Sequence, residues 1–317
     1  MWTENKIAKL LELKDQGIGN KEVAEIMTKK FKVKFTTNSI RKAHNRYIIP
    51  IIDVDKLDKP KILVFDIETL PMEAYVWGLR DQNVGLNMIK EDWSVLSWAA
   101  KWYGEDDIFY QDVRKKRKVR DDKQVLKGIW KLLDEADYVV GQNSNSFDVK
   151  KLNARFILHG MKPPSSYKKL DTLVMARKNF KFTSNKLAYL SNTLCSKYEK
   201  LSHGKYAGFS MWAECMKGNQ DAFREMEEYN RMDILSTEEL FDRLLPWSNA
   251  TLFNIYNEST DPVCTCGNDK FKKDGFHYTN SSKFQKYRCT NCGSEYRDKV
   301  NLLSRSKVKS LKGNCPR

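Results

Sequence analysis

The segment KILVFDIETL (Lys61–Leu70) sets the tightest limit on how this chain can fold. Ile62, Leu63, Val64 and Phe65 form an unbroken apolar run, the pattern of a strand covered on both faces. Asp66 and Glu68 then interrupt it, two residues apart. Alternate residues of a strand share a face, so both carboxylates project together from the end of a core strand. A buried charge is costly unless it is paired or bound to metal, so the pair predicts a cationic partner.

Two further acids have settings that match. Asp148 lies in GQNSNSFDVKKL, just after the strand expected over 137–141 and at the start of a helix. Asp233 lies in EMEEYNRMDILSTEELF, a helical stretch whose Ile234, Leu235 and Leu240 predict a packed face. Tyr229, four residues earlier, shares that face one turn away. Four converging carboxylates would repel one another without a counter-charge. Hard divalent ions with oxygen ligands, Mg²⁺ or Mn²⁺, supply it. Two such ions about 3.5–4 Å apart can stabilise the attacking and leaving oxygens of a phosphoryl displacement. A fifth acid, Asp171, opens a helix in KKLDTLVMA, where an N-cap is its simplest role.

The expected elements around these residues define an α/β domain. Strands are predicted near 61–67, 73–77, 94–103, 107–113 and 137–141, and helices near 121–135, 147–159, 172–179, 184–197 and 219–244. A meander of strands followed by alternating helices and strands gives a mixed sheet flanked by helices. Residues 48–60 hold two prolines and read as a linker, and the domain is expected over 61–246.

The net charge of +15 falls mainly at the two ends of the chain. Residues 1–50 carry 11 Lys/Arg against 5 Asp/Glu, and residues 261–317 carry 13 against 5, leaving 32 against 31 in 51–260. Basic modules flanking a neutral centre point to a polyanionic partner. Residues 1–47 read as three short helices capped by Thr3, by Asn20, and by Thr37 or Asn38, with a glycine-containing turn at Gly17–Asn20. This is the layout of a helix-turn-helix, which would present Asn38, Ser39, Arg41, Lys42, Asn45 and Arg46 of its basic last helix to DNA. A plain three-helix bundle or a protein-docking domain has the same pattern. The run RKKRKVR (Arg114–Arg120) reads as a solvated turn or a phosphate-tracking loop.

Over 260–300, Cys264, Cys266, Cys289 and Cys292 form CTCG…CTNCG, a zinc-ribbon pattern for one structural Zn²⁺. The first pair is one residue shorter than the usual CxxC, so His277 is an alternative ligand. Phe271, Phe276, Tyr278, Phe284 and Tyr287 interleave with Lys270, Lys272, Lys273, Lys286 and Arg288, which suits base stacking and phosphate contact as well as a small core. Residues 301–317 read as a basic, disordered tail. The apolar runs are too short to span a bilayer, and the scattered and paired cysteines suit a reducing compartment, so a cytoplasmic protein is expected.

Taken together, VFDIET, GQNSNSFD and YNRMDILSTEEL resemble the three motifs of the DEDD exonucleases, whose fold is RNase H-like. The tyrosine marks the DEDDy branch. Asn143 and the Phe147–Asp148 pair are most similar to the proofreading domains of family B DNA polymerases, here without a polymerase domain, and a stand-alone protein of this sort flanked by small DNA-binding modules resembles those of phages and mobile elements. The resemblance implies a 3′–5′ exonuclease with Asp66, Glu68, Asp148 and Asp233 on two Mg²⁺ or Mn²⁺ ions. Tyr229 would orient the attacking water, since a phenol of pKa about 10 is a poor base at neutral pH. Thr69, Leu70 and Met72 would touch the terminal nucleotide, with Asn143 and Phe147 lining the cleft. Phe147 also suits the core, and Thr69 a strand cap. DNA 3′ ends are the favoured substrate and a DNA polymerase or other replication protein a partner. The alternatives are an RNA 3′ exonuclease, a non-catalytic DNA-binding regulator and a transposase-type RNase H-like enzyme.

Overall fold

The computed structural model describes residues 2–47, 60–116, 118–198, 204–249 and 261–313. They form two compact units, 1–57 and 58–317. The expected linker at 48–60 lies outside the described residues except for Pro60.

In the first unit, helices α1 (Glu4–Asp15), α2 (Asn20–Phe31) and α3 (Thr37–Tyr47) close on a core of Leu10, Leu13, Val23, Met27, Ile40 and Ala43. These residues recur at helical spacing, so each helix buries one stripe. The caps differ from expectation. Thr3 stands at the N-cap of α1 but makes no side-chain capping bond. Gly19 occupies the N-cap of α2, with Asn20 already helical. Thr36 caps α3 one residue earlier than expected: Ser39 N donates to Thr36 Oγ1 at 3.1 Å and Thr36 N donates to Ser39 Oγ at 2.9 Å, a reciprocal box.

The second unit begins with β1 (Ile62–Leu70), the short hairpin β2 (Glu73–Ala74) and β3 (Ile89–Glu91), then β4 (Ser94–Trp102) and β5 (Ile108–Asp112). There follow α4 (Lys123–Glu135), β6 (Tyr138–Gly141), α5 (Asp148–Leu158), β7 (Lys168–Asp171), α6 (Thr172–Asn179), α7 (Leu187–Leu194), α8 (Ser210–Met216) and the long α9 (Gln220–Leu244). The main sheet has the order β5-β4-β1-β6-β7, antiparallel through β4 and parallel from β1 to β7. It is the mixed, helix-flanked sheet of the RNase H-like fold.

The unbroken apolar run of β1 is explained by cover on both faces. Leu63, Phe65 and Ile67 join Val125, Leu126 and Ile129 of α4 and Val149 and Leu152 of α5. Ile62 and Val64 join Ile234, Leu240 and Phe241 of α9. By strand alternation, Asp66 and Glu68 belong to the α9 face. The sheet register breaks between Glu68 and Thr69, a bulge at the acidic end of β1. Asp122, fully buried before α4, accepts from Val95 N (2.8 Å), from Arg155 Nε and Nη2 (2.8 Å each) and contacts His159 Nε2 (2.7 Å). It thereby locks α5 against β4, and with it the helix start that carries Asp148.

The ribbon consists of β8 (Phe271–Thr279), β9 (Ser282–Cys289) and β10 (Glu295–Arg297), in the order β10-β9-β8. Ser294 Oγ donates to Pro246 O at 3.1 Å, tying it to the chain just beyond α9. The expected disordered tail is ordered at its start. Leu302 N donates to Lys283 O at 2.7 Å, and Arg305–Ser310 form a short helix, α10, capped by Ser304.

Candidate active site

Two hydrogen bonds bring the three motifs together. Ile67 N, between Asp66 and Glu68, donates to Asp148 Oδ1 at 3.2 Å. Asn230 Nδ2, on α9 between Tyr229 and Asp233, donates to Asp66 Oδ2 at 2.7 Å. Asn230 and Asp233 are three apart and both buried, so they share the face of α9 turned to the sheet. Asp148 is 3% and Asp233 5% exposed, whereas Asp66, Glu68 and Tyr229 are half-buried. Burial pushes the Asp148 carboxyl up to about 7; the Asp171 charge adds to the rise, and the Ile67 N–H works against it.

The turn that delivers Asp148 is built around Asp171. Its Oδ1 accepts from Asn143 N (2.9 Å) and from Leu173 N and Val174 N (2.9 and 3.3 Å), and its Oδ2 from Asn145 N (3.0 Å). Asp171 therefore caps α6, as expected, and also holds the 143–145 turn. Asn143 sits there at φ +64°, a conformation asparagine tolerates better than most side chains. Gly141 is required by crowding: a Cβ would lie 2.7 Å from Ser144 Cβ and 3.0 Å from Phe65 O.

The residues expected to contact a nucleotide separate. Met72 is 50% and Phe147 38% exposed, and Thr69 is half-buried. Leu70 is fully buried in the core, so its side chain offers no contact to a ligand; the bulge at Glu68/Thr69 turns it inward. Lys151, not singled out in the sequence, lies with Nζ 3.7 Å from the Trp93 ring centroid and 5.6 Å from that of Phe147. Only its position one turn after Asp148 signals it.

The arginines at the two ends of the basic run are structural. Arg114 pairs with Asp112 and with Glu227 Oε2 (2.6 Å). Arg120 donates to Pro71 O (3.0 Å), Asp92 O (2.7 Å) and Glu73 Oε1 (2.7 Å), tying both ends of the β2–β3 hairpin. Arg117 lies outside the described residues. In the first unit Asn38, Arg41 and Lys42 are exposed on α3, with Arg41 Nη2 donating to Asn38 Oδ1 at 3.0 Å. Asn45 and Arg46 lie on the same helix by backbone, and their side chains fall outside the described ones.

The sulfurs of Cys264, Cys266, Cys289 and Cys292 all lie within 4.8 Å of one another. Cys264 and Cys292 are 3.4 Å apart and Cys266 and Cys289 3.7 Å. A tetrahedral ion with Zn–S bonds of about 2.3 Å has an S···S edge of about 3.8 Å, so the cluster fits zinc. The short CxC is accommodated by Gly267 at φ +82°, and the four cysteines meet without His277, which is exposed on β8. Burial raises the Cys289 thiol, but the N–H groups of Cys292 and Asn291 and the Asn268 amide outweigh it and bring it down to about 6.

Residues 90–245, just under half the chain, match the family RNase_H_2 of the RNase H superfamily. The match spans Asp148, Tyr229 and Asp233 and begins after Asp66 and Glu68. Together with the sheet order it defines an RNase H-like domain. Among 106 matching chains of solved structures is a family B DNA polymerase from the hyperthermophilic archaeon Pyrobaculum calidifontis. It is 20% identical with a TM-score of 0.43, over 60% of this chain and 25% of the polymerase, so the chain spans about a quarter of that protein. No curated protein matches the chain. No helix among the described residues is long and apolar enough to cross a membrane.

Proposed function

We propose that the protein is a metal-dependent 3′–5′ exonuclease acting on DNA. The observation that carries this reading is the junction of the three motifs: Asp148 bonded to the backbone between Asp66 and Glu68, and Asp66 bonded to the α9 segment that carries Tyr229 and Asp233. The donor set is four carboxylates, which suits Mg²⁺ or Mn²⁺. Asp66, Glu68, Asp148 and Asp233 would hold the ions. When bound, the ions lower the pKa of a water and stabilise the attacking and leaving oxygens of the terminal phosphodiester. Tyr229 orients that water through its hydroxyl. Phe147, Met72 and Asn143 line the path of the terminal nucleotide, and the Lys151 ammonium beside Phe147 meets a phosphate. The product is a 5′-nucleotide.

The flanking modules hold the nucleic acid. Arg41 and Lys42 of α3 form a cationic face in a helix-turn-helix arrangement. On the ribbon, Phe276 and Tyr278 are 44% and 64% exposed, with Lys283 Nζ 3.8 Å from the Phe276 ring centroid, a stacking surface joined to a phosphate contact. A polymerase or another replication protein would supply the ends to be trimmed.

The test is digestion of single- and double-stranded DNA and RNA, labelled at the 3′ or the 5′ end, with Mg²⁺, Mn²⁺ or EDTA. The reading expects mononucleotides released from 3′ ends of DNA, with none in EDTA. Joined strands would favour strand transfer, preferential loss of RNA ends an RNA exonuclease, and binding without cleavage a regulator.

A further inference from the structure

We infer that Asn230, set by Ser97, is a positioning residue for Asp66. The inference rests on the reading of Asp66 as a metal ligand. Asn230 is fully buried on α9, and Ser97 fully buried on β4. Ser97 Oγ donates to Asn230 Oδ1 at 3.2 Å, and Asn230 Nδ2 donates to Asp66 Oδ2 at 2.7 Å. Three elements are therefore linked in one direction, from β4 through α9 to β1. The β1–β4 register sets Ser97 opposite Glu68, on the same face as both acids of the strand.

The chemistry fixes the orientation of the amide. With the amide turned over, Oδ1 would face the Asp66 carboxylate, placing acceptor against acceptor at hydrogen-bond distance. The Asp66 carboxylate, which only accepts, selects the arrangement in which –NH₂ faces it, and the Ser97 hydroxyl then donates to the Oδ1 left on the other side. A buried amide that donates to a carboxylate does two things. It holds the torsion of that carboxylate, and it draws off part of its negative charge where Glu68, Asp148 and Asp233 are near. Asparagine is suited to this, because its charge does not change and it adds no fifth anion to the cluster.

The test is Mn²⁺ binding to the zinc-loaded full chain by titration calorimetry, read alongside nucleotide release. Asn230→Ala should weaken Mn²⁺ binding by about 10–100-fold, the usual effect of removing a group that orients a ligand. It should also raise the Mn²⁺ concentration needed for half-maximal hydrolysis. Ser97→Ala, which deletes one hydroxyl, should weaken binding less. The double variant should be no weaker than Asn230→Ala alone, because the hydroxyl reaches Asp66 through the amide. Asp66→Ala is the control for the site. Unchanged Mn²⁺ affinity in Asn230→Ala, where Asp66→Ala has lost it, overturns the positioning role and leaves the metal site intact. Unchanged affinity in Asp66→Ala overturns both. If Asn230→Ala does not fold, Ser97→Ala decides: a weakened Mn²⁺ site supports the role, and an unaltered one overturns it. Losses that add in the double variant overturn the link through the amide.

Discussion

The four cysteines and the four carboxylates both have the composition of a metal site, yet they are held in different ways. The thiols all lie within 4.8 Å of one another, two pairs at 3.4 and 3.7 Å, within a small ribbon and with ligands from two tight turns. The acids come from β1, the start of α5 and the middle of α9, elements far apart in the chain, with Asp148 braced by Ile67 N and Asp66 by the Asn230 amide. One site is a staple closed by local sequence. The other is an open cluster whose shape is imposed by the sheet and α9.

The largest effect that would break this comparison is on catalysis. Asp66→Ala or Asp233→Ala should reduce nucleotide release in Mg²⁺ by roughly three orders of magnitude or more, with DNA affinity nearly unchanged in a gel-shift assay. Cys289→Ser should instead leave trimming of short oligonucleotides largely intact, while zinc content measured by elemental analysis falls and the ribbon loses its fold. Equal loss of activity in both would dissolve the distinction. Deleting 261–317 should weaken binding of long DNA and flatten the dependence of log K on log salt. An unchanged slope would remove the ribbon from the interface.

A smaller effect concerns crowding at the acid site. Gly141→Ala should cost about 1–3 kcal/mol in denaturant unfolding, because its Cβ would press on Ser144 and on Phe65 O and push the Asp148 turn off β1. The last effect is the pH dependence of the metal-free protein. Asp148 is raised to about 7 when folded, above the usual carboxylate value, so the folded state binds the extra proton between those limits. Stability should therefore fall as pH rises from about 4 to about 7. Asp148→Asn should flatten that fall, and saturating Mg²⁺ should oppose it. Thermal melts across the range, with and without Mg²⁺, check both.

The patterns legible in the sequence were those carried by short range. The run Ile62–Phe65 reported cover on both faces, Asp66 and Glu68 reported a shared face, and Asp171 before Thr172 reported a cap. The β7 strand, Lys168–Asp171, was missed because an edge strand with two lysines lacks the apolar pattern of the core. Helix α8 was missed because seven residues hold too little periodicity. Hairpin β2–β3 has so few strand residues that Tyr75 and Trp77, expected within a strand, lie exposed beyond it.

By itself, then, the sequence determined which residue types could bind metal and on what kind of element each would sit, because strand alternation, helix spacing and paired cysteines are local rules. Only the tertiary structure decided which of these side chains meet. The contact of Asn230 with Asp66 spans 164 positions, and that of Ile67 with Asp148 spans 81. No local pattern encodes such pairs. They follow from the parallel pairing of β1 with β6 and from the packing of α9 across the sheet, where burial of Ile234, Leu240 and Phe241 sets the position of the helix and the polar residues are carried into place with it.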